Sequence, residues 1–391
     1  MRIRGGKNCR LLLVGANYYL ERELSHAARM VGVEMEVFPA HRHAHDFGTA
    51  LLEHMRRFRP DAVLSVNARG LGNWTELPDV LGRMGAALCV WFIDSPEHFV
   101  SGSVPDSENL LLFTCERQAM PLLQAWGGRR VHYLPLAADA ARLHGQEDRF
   151  LPEAEITASF LGVTWTEKKA LCLRNGRFPR FILRRYRELG RRFAAAPEPS
   201  VLAFLTREEP AFVDAARNAL GSERLRDLCI LICWEANTAK RVPMVRALLP
   251  FAPVIAGDAY WKQHIPDDAC ARLHPPIGYY SPDLFNFYRH SRVNLNVSSA
   301  QLPTATTQRI FDVPSAGGFV ISDHKEQIAE CFDIGTEAVT FSRTDEIGPL
   351  VEYYAANREA AGNVVANARR RILAEHTYGH RLQAIVRAVQ E

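Results

Sequence analysis

The stretch RVNLNVSSAQLPTATTQRIFDVPSAGGFVISD, residues 292–323, indicates the fold of this chain more clearly than any other part. Apolar side chains alternate along residues 293–297, which is the pattern of a β-strand. An uncharged polar loop follows, and a short helical segment occupies residues 308–315. A pair of glycines ends that helix, and the apolar residues after it predict another buried strand. The stretch is therefore predicted to be a strand–loop–helix–strand unit of a parallel sheet.

The loop of this unit is a candidate site for the diphosphate of a nucleotide. Open α/β sheets bind ligands outside the carboxyl ends of their strands, and the free N–H groups at a helix start attract anions. Arg309 adds a fixed positive charge, and Asp312, one turn later, can accept hydrogen bonds from ribose hydroxyls. The same two residues are spaced i, i+3, so a surface ion pair worth under about 1 kcal/mol is an equally open alternative.

Several short motifs are spread along the chain, each occurring once, and form a recognisable set. They are WFIDSPEHF at residues 91–99, HYLPLAAD at 132–139, GDAYW at 257–261, the Arg-x-Phe-acid pattern of Arg309, Phe311 and Asp312, Ala-Gly-Gly at 316–318, and His376-Thr377-Tyr378 followed by Arg381. As a set, they resemble the glycosyltransferases related to the spore-maturation protein CgeB, and the resemblance covers most of the chain. It implies a GT-B fold, which is an α/β arrangement of two Rossmann-like parallel-sheet domains facing across a cleft.

The resemblance also implies which residues hold the sugar donor. Asp312 would bind the ribose, residues 304–309 would meet the diphosphate, and a tyrosine of the 275–280 loop would stack on the nucleobase. Many relatives carry Glu where this chain has Asp312, which shortens the reach of the carboxylate. The donor-binding residues implied in this way are Gly162, Lys168, Tyr279, Thr307, Gln308, Arg309 and Asp312. Lys169 is an alternative to Lys168, both lysines could simply be solvated, and Tyr280 or Trp261 could replace Tyr279.

Length and periodicity predict two domains in the 391 residues. Residues 1–150 alternate strands and helices as in a Rossmann-like domain, which the resemblance places on the acceptor side. Residues 151–360 are predicted to form the nucleotide-sugar-binding domain, with a helical elaboration at about 177–226. The charged segment 142–152 is interpreted as the linker, and residues 361–391 as a C-terminal helix that returns to the first domain.

Polar residues follow the carboxyl ends of the predicted strands in the first domain. Asn17, His41 and Asn67 are expected to lie on the acceptor side, because the carboxyl ends of parallel strands share one edge. Asp94 is the leading candidate for an acid–base group, and His98 is the next. Glu97 is a further alternative, and Asp94 could equally cap the following turn.

Composition excludes several classes of protein. The 47 basic and 44 acidic residues nearly balance, which argues against a nucleic-acid-binding surface. Scattered cysteines without CxxC spacing argue against a zinc site. The alternate histidines at positions 41, 43 and 45 could bind a metal, but a loop that is solvated or contacts the acceptor is the preferred interpretation, so no metal is expected. No stretch has the apolar length of a signal peptide core or a membrane span, and we expect a cytoplasmic protein.

The sequence therefore predicts a metal-independent glycosyltransferase without a cofactor. It would transfer sugar from a nucleoside-diphosphate sugar, by default a UDP-sugar, to a hydroxyl acceptor on a polysaccharide or a surface protein. Retention or inversion of the anomeric centre is left open. Two other functions suit the same scaffold, namely a non-catalytic protein that binds nucleotides or glycans and a nucleotide-sugar epimerase.

Overall fold

The computed structural model describes residues 9–43, 45–100, 102–143, 156–196 and 198–391. The chain divides into two compact units. Unit 1 comprises Met1–His144 with Glu375–Glu391, and unit 2 comprises Gly145–Ala374. The predicted linker at residues 142–152, and the predicted domain boundary after residue 150, fall almost entirely outside the described residues.

Unit 1 contains a six-stranded parallel sheet in the order β2-β1-β3-β4-β5-β6. Its strands are β1 Arg10–Gly15, β2 Glu34–Pro39, β3 Ala62–Val66, β4 Ala87–Phe92, β5 Leu110–Thr114 and β6 Arg130–Tyr133. The helices between them are α1 Glu21–Val31, α2 Phe47–Phe58, α3 Leu77–Arg83, α4 Ala119–Ala125 and α5 Ala140–Leu143. Strands β3 and β5 are buried at every position, because helices cover both faces of a parallel sheet.

Unit 2 contains a second six-stranded parallel sheet, in the order β12-β11-β10-β7-β8-β9. Its strands are β7 Ile156–Leu161, β8 Val254–Ala256, β9 Leu273–His274, β10 Ser291–Asn296, β11 Val320–Asp323 and β12 Val339–Phe341. The quoted stretch supplies β10, the helix α11 Arg309–Ser315 and β11, so the predicted strand–loop–helix–strand unit is confirmed. The parallel α/β organisation predicted for both halves is confirmed as well.

Four helices between β7 and β8 in the chain form a separate layer of unit 2, namely α6 Thr166–Gly176, α7 Arg180–Phe193, α8 Val201–Glu208 and α9 Pro210–Arg246. The remaining helices of the unit are α10 Asp283–Arg289, α11, α12 Glu326–Cys331, α13 Ile347–Ala356 and α14 Arg358–Glu375. Helix α9 is broken at Gly221, whose φ of 70° lies outside the helical region. The sequence pattern of residues 227–249 mixes strand-like and helical signals, and the structure makes this segment mostly helix. Its first part, up to Ala236, packs in the core of the helical layer, whereas Val245 and Leu248 pack in the core of the sheet.

The last helix, α15 Tyr378–Gln390, belongs to unit 1. Arg381 is buried there, and its guanidinium donates hydrogen bonds to the carbonyl oxygens of Pro135, Leu136 and Glu375. A backbone bridge between Ala138 and Thr377 lies beside it. These contacts attach the C-terminal segment to unit 1. Among the helices that the structure describes, none has the length and apolar character needed to span a bilayer.

Candidate functional site

Strand order reverses between β7 and β10 in unit 2, and this is the position where open α/β sheets bind ligands. Asn296 ends β10 there and is fully buried. Its Oδ1 accepts hydrogen bonds from Thr307 Oγ1 at 2.8 Å and Arg309 Nη1 at 3.2 Å, and its Nδ2 donates to Ser322 Oγ at 2.9 Å. Asn296 therefore fixes the loop and the guanidinium of Arg309 against the strand end.

A second cation, Arg241 of α9, lies at the same reversal and is buried. Its side chain is only 5% exposed. Nη1 donates to the carbonyl oxygen of Val163, just after β7, at 3.1 Å, and the guanidinium lies 4.0 Å from the ring centroid of Trp165. Trp165 itself has a left-handed backbone with a φ of 57°, which is strained for a residue with a side chain. The helix α9 thus delivers a guanidinium to the end of a strand that is distant in sequence.

Arg241 and Arg309 bring two positive charges into electrostatic contact at this reversal. Burial holds the pKa of Arg241 well below its usual range, and Arg309 lowers it further, while Asp323 and Asp258 oppose both effects. The Nε atoms of both arginines are buried and have no hydrogen-bond partner within the described part of the chain. Buried N–H donors without partners cost free energy, so this pair is well suited to an anion with several oxygen acceptors.

The nearby carboxylates already have partners of their own. Asp323 at the end of β11 accepts from Lys240 Nζ and from the backbone N–H of Ser298, both at 2.7 Å. Lys240 is the main reason that the pKa of this carboxyl is low despite its burial. Asp258 accepts from the N–H of Thr164 at 2.7 Å and from its hydroxyl at 2.9 Å. Neither carboxylate forms a direct ion pair with the two arginines.

The GDAYW motif holds the backbone that follows β7. The Nε1 of Trp261 donates to the carbonyl oxygen of Gly162 at 2.8 Å, and Asp258 binds Thr164 as described above. A side chain at Gly257 would collide with that same carbonyl oxygen. Trp261 is fully buried in the core, so the alternative that it stacks on a nucleobase is wrong.

The loop before α11 is more enclosed than the sequence suggests. Residues 298–302 and 304–306 are buried, while Thr307, Gln308 and Arg309 are partly exposed. The N–H of Thr306 donates to Gln327 Oε1 at 2.9 Å, and α11 is only seven residues long with Pro314 inside it. The free helix start expected for an anion is therefore a weak feature here, and side-chain cations supply most of the positive charge.

The other predicted donor residues of unit 2 occupy varied environments. Asp312 is 2% exposed, and its Oδ1 accepts from Gln308 Nε2 at 3.2 Å. Lys168 is exposed on α6, whereas its neighbour Lys169 is partly buried and pairs with Glu235 at 2.8 Å. Tyr279 is partly buried in its loop, with its ring edge-on to Tyr280 at 5.0 Å between centroids. The structure thus brings Thr307, Arg309, Gln308 and Asp312 together and leaves Lys168 apart from that network.

Strand order reverses between β1 and β3 in unit 1, and Asp94 is bound there by residues that follow both strands. Asn67, which is 1% exposed, accepts from the N–H of Ile93 at 2.9 Å and donates Nδ2 to Asp94 Oδ2 at 3.0 Å. Tyr18 donates its hydroxyl to the same oxygen at 3.2 Å. Asn67 and Ala68 both have a φ of 55°, a left-handed conformation that places strain beside Asp94.

Two further groups set the electrostatics around Asp94. Arg69 stacks on the ring of Tyr18, 4.3 Å from its centroid. Burial raises the pKa of Tyr18, and the Asp94 carboxylate raises it further, so the phenol remains a hydrogen-bond donor at neutral pH. Burial lowers the pKa of His98 to about 4, and Asp94 acts in the opposite direction. His98 is therefore neutral at pH 7.

The remaining predicted acceptor-side residues lie outside this network. Asn17 is exposed and forms no side-chain hydrogen bond with the described residues. His41 is exposed, with its Nδ1 3.4 Å from the Gly15 carbonyl oxygen. His43 stacks on Phe38 instead, and within the described ranges no three His, Cys, Asp or Glu side chains cluster as metal ligands would.

Sequence reasoning missed Arg241, Lys240, Tyr18 and Arg69. Arg241 did leave a detectable pattern. Cys229 and Cys233 are four residues apart, and continuing that step gives Asn237, Arg241 and Val245, all of them buried. A charged residue in the buried stripe of a helix has to be explained by a partner or a ligand. Tyr18 left no comparable pattern.

Comparison with solved structures shows the GT-B fold. Sucrose-phosphate synthase from Thermosynechococcus elongatus superimposes with a TM-score of 0.55 at 9% identity, covering 98% of both chains. AviGT4, a glycosyltransferase involved in avilamycin A biosynthesis, has a TM-score of 0.53 at 14% identity, covering 98% of this chain and 97% of that one. At such identities the likeness concerns the fold, and the predicted two-domain Rossmann-like GT-B class is confirmed.

Sequence comparison points to the same class of protein. No curated protein matches this chain at a significant level. Residues 241–387 match the family described as Glycosyl transferase-like, and this segment includes Arg241, Asn296, Arg309 and Asp312. The match over residues 241–387 identifies this protein as a glycosyltransferase, an enzyme that transfers sugars.

Proposed function

We propose that this enzyme transfers a sugar from a nucleoside-diphosphate sugar, by default a UDP-sugar, to a hydroxyl acceptor such as a polysaccharide or a surface protein. Buried Arg241 and partly exposed Arg309, at the strand-order reversal of unit 2, carry the proposal. Arg241 and Arg309 hold buried N–H donors without partners in the described residues, and the adjacent carboxylates are already engaged. A diphosphate offers the oxygen acceptors that would satisfy them.

In this proposal, side chains stabilise the charge that develops on the leaving diphosphate. Two guanidiniums in a water-poor environment do this without a tightly bound metal ion and without a cofactor. Asp312 would bind the ribose and Tyr279 the nucleobase, as the resemblance to CgeB-related enzymes implies. Both roles are predictions that rest on position within the family-matched segment.

Unit 1 would supply the acid–base group. Asp94 would take the proton from the acceptor hydroxyl while the acceptor oxygen bonds to the anomeric carbon and the bond to the diphosphate breaks. Asn67 and Tyr18 hold one carboxylate oxygen, which fixes the orientation of the group. Neutral His98 is the alternative proton acceptor.

Donor binding and chemistry can be tested separately. Calorimetric titration with UDP, GDP and ADP should show saturable binding of at least one diphosphate, and Arg309→Ala should weaken it. Asp94→Asn should bind the same nucleotide as the wild type but lose the slow hydrolysis of the corresponding nucleotide sugar, followed by NMR. Wild-type binding without any hydrolysis or transfer would favour a non-catalytic protein, and a new epimer of the donor would favour an epimerase.

A further inference from the structure

The exposed face of α7 carries an unusual concentration of positive charge. Residues 166–192 contain ten Lys and Arg residues and two Glu residues, whereas the whole chain has a formal net charge of only +3. In α7, Arg180, Arg184, Arg187 and Arg191 are all exposed. Their spacing of i, i+4, i+7 and i+11 aligns them along one side of the helix.

These four guanidiniums lack the acidic partners that surface arginines usually have. Neighbouring Arg185 and Arg192, at the edge of the same helix, both pair with Glu209. By contrast, none of the four exposed arginines forms an ion pair within the described part of the chain, although Arg187 Nε donates to the Tyr186 hydroxyl at 3.0 Å. The charge of this face is therefore available to an external anion.

Two large apolar side chains lie on either side of the arginine row. Phe181 is 37% exposed and Leu183 is 43% exposed. The opposite side of α7 is occupied by the packing of its buried residues Ile182, Tyr186, Leu189 and Phe193 on the helical layer. Leu183 faces water because the helix has already satisfied its core contacts, and Phe181 stays 37% exposed although its ring lies edge-on to that of Phe212, 5.7 Å between centroids. We call Arg180, Phe181, Leu183, Arg184, Arg187 and Arg191 the α7 patch.

We propose that the α7 patch docks the enzyme on a membrane surface rich in anionic phospholipids. Rows of basic residues on one helix face bind anionic headgroups, and flanking aromatic and aliphatic side chains enter the headgroup region. A nucleic acid would engage the arginines through phosphates but would leave the exposed apolar surface of Phe181 and Leu183 in water. The presence of both kinds of side chain favours the lipid surface.

Vesicle co-sedimentation of the full-length protein tests this docking. The protein should bind phosphatidylcholine vesicles that contain phosphatidylglycerol and ignore vesicles of phosphatidylcholine alone, and high salt should weaken the binding. Arg184→Glu with Arg191→Glu should reduce binding by roughly tenfold or more. Arg343→Glu with Arg370→Glu, which changes the net charge equally at exposed positions elsewhere in unit 2, should not.

The apolar side chains distinguish a membrane from other polyanions. Phe181→Ser with Leu183→Ser should weaken vesicle binding several-fold while all the arginines remain. Equal binding to duplex RNA and to vesicles, or vesicle binding that neither double variant alters, would overturn the proposal. Circular dichroism and nucleotide titration of each variant check folding and the donor site. The α7 patch contains none of the residues proposed to bind the donor. A negative result in the vesicle assay would therefore leave the proposed donor site unaffected.

Discussion

Arg241→Met should weaken donor binding and leave stability unchanged or higher. The substitution leaves the Val163 carbonyl without the Arg241 donor, at a cost of about 1–3 kcal/mol, and removes a cation–π contact with Trp165 of about 0.5–2 kcal/mol. It also removes a buried charge, whose effective desolvation penalty is several kcal/mol. Methionine fills similar space without charge, so the net change in the free energy of unfolding should lie between about zero and a gain of 2 kcal/mol.

The effect on the donor has the opposite sign. Each charge-assisted hydrogen bond from Arg241 to a diphosphate oxygen is worth about 1.5–3 kcal/mol, so the dissociation constant for UDP should rise by about 10- to 150-fold. Calorimetric titration measures the affinity, and differential scanning fluorimetry measures the melting temperature. One kcal/mol corresponds to roughly 2–4 °C for a unit of this size, so a gain of a few degrees is detectable.

Arg381→Met is the matched control. Arg381 is 7% exposed, much like Arg241 at 5%, but its guanidinium is already bonded to three backbone carbonyls. Its replacement leaves those acceptors unsatisfied at about 1–3 kcal/mol each, so the melting temperature should fall while UDP affinity stays the same. The reasoning is refuted if Arg241→Met binds UDP like the wild type, or if it lowers the melting temperature as much as Arg381→Met.

Three further predictions concern unit 1 and the loop after β7. Tyr18→Phe should lower the turnover number by about tenfold or more with unchanged donor affinity, because Asp94 loses a hydrogen bond of about 1.5–3 kcal/mol; equal rates would remove Tyr18 from the site. The pKa of His98 is lowered from 6.5 to about 4, so the unfolded chain binds more protons between those values and stability should fall as pH drops through them, by up to about 3 kcal/mol. Denaturant titrations of His98→Asn should show a smaller loss over that interval, and an identical loss would contradict the assignment. Gly257→Ala should destabilise by about 1–3 kcal/mol because its Cβ meets the Gly162 carbonyl oxygen, and a wild-type melting temperature would show that the loop yields.

Local patterns in the sequence were sufficient for the fold of each unit. Buried parallel strands are apolar at every position or at every second position, and amphipathic helices separate them along the chain. Both patterns can be recognised from residues that are neighbours in sequence. Residues 292–323 predicted β10, α11 and β11 for this reason. Strand ends also placed Asn67 and Asp94 at one edge of the first sheet, where the structure joins them by a hydrogen bond.

The composition of the charged site was decided by the tertiary structure alone. Arg241 and Arg309 belong to different helices, far apart in sequence. Their charges interact because Arg241 reaches the backbone just after β7 while α11 begins beside β10. Whether a charge is buried, and whether a partner satisfies it, depends on packing between elements that no local period encodes. The sequence therefore predicted where a ligand would bind, and only the tertiary structure showed which cations have N–H donors available to bind it.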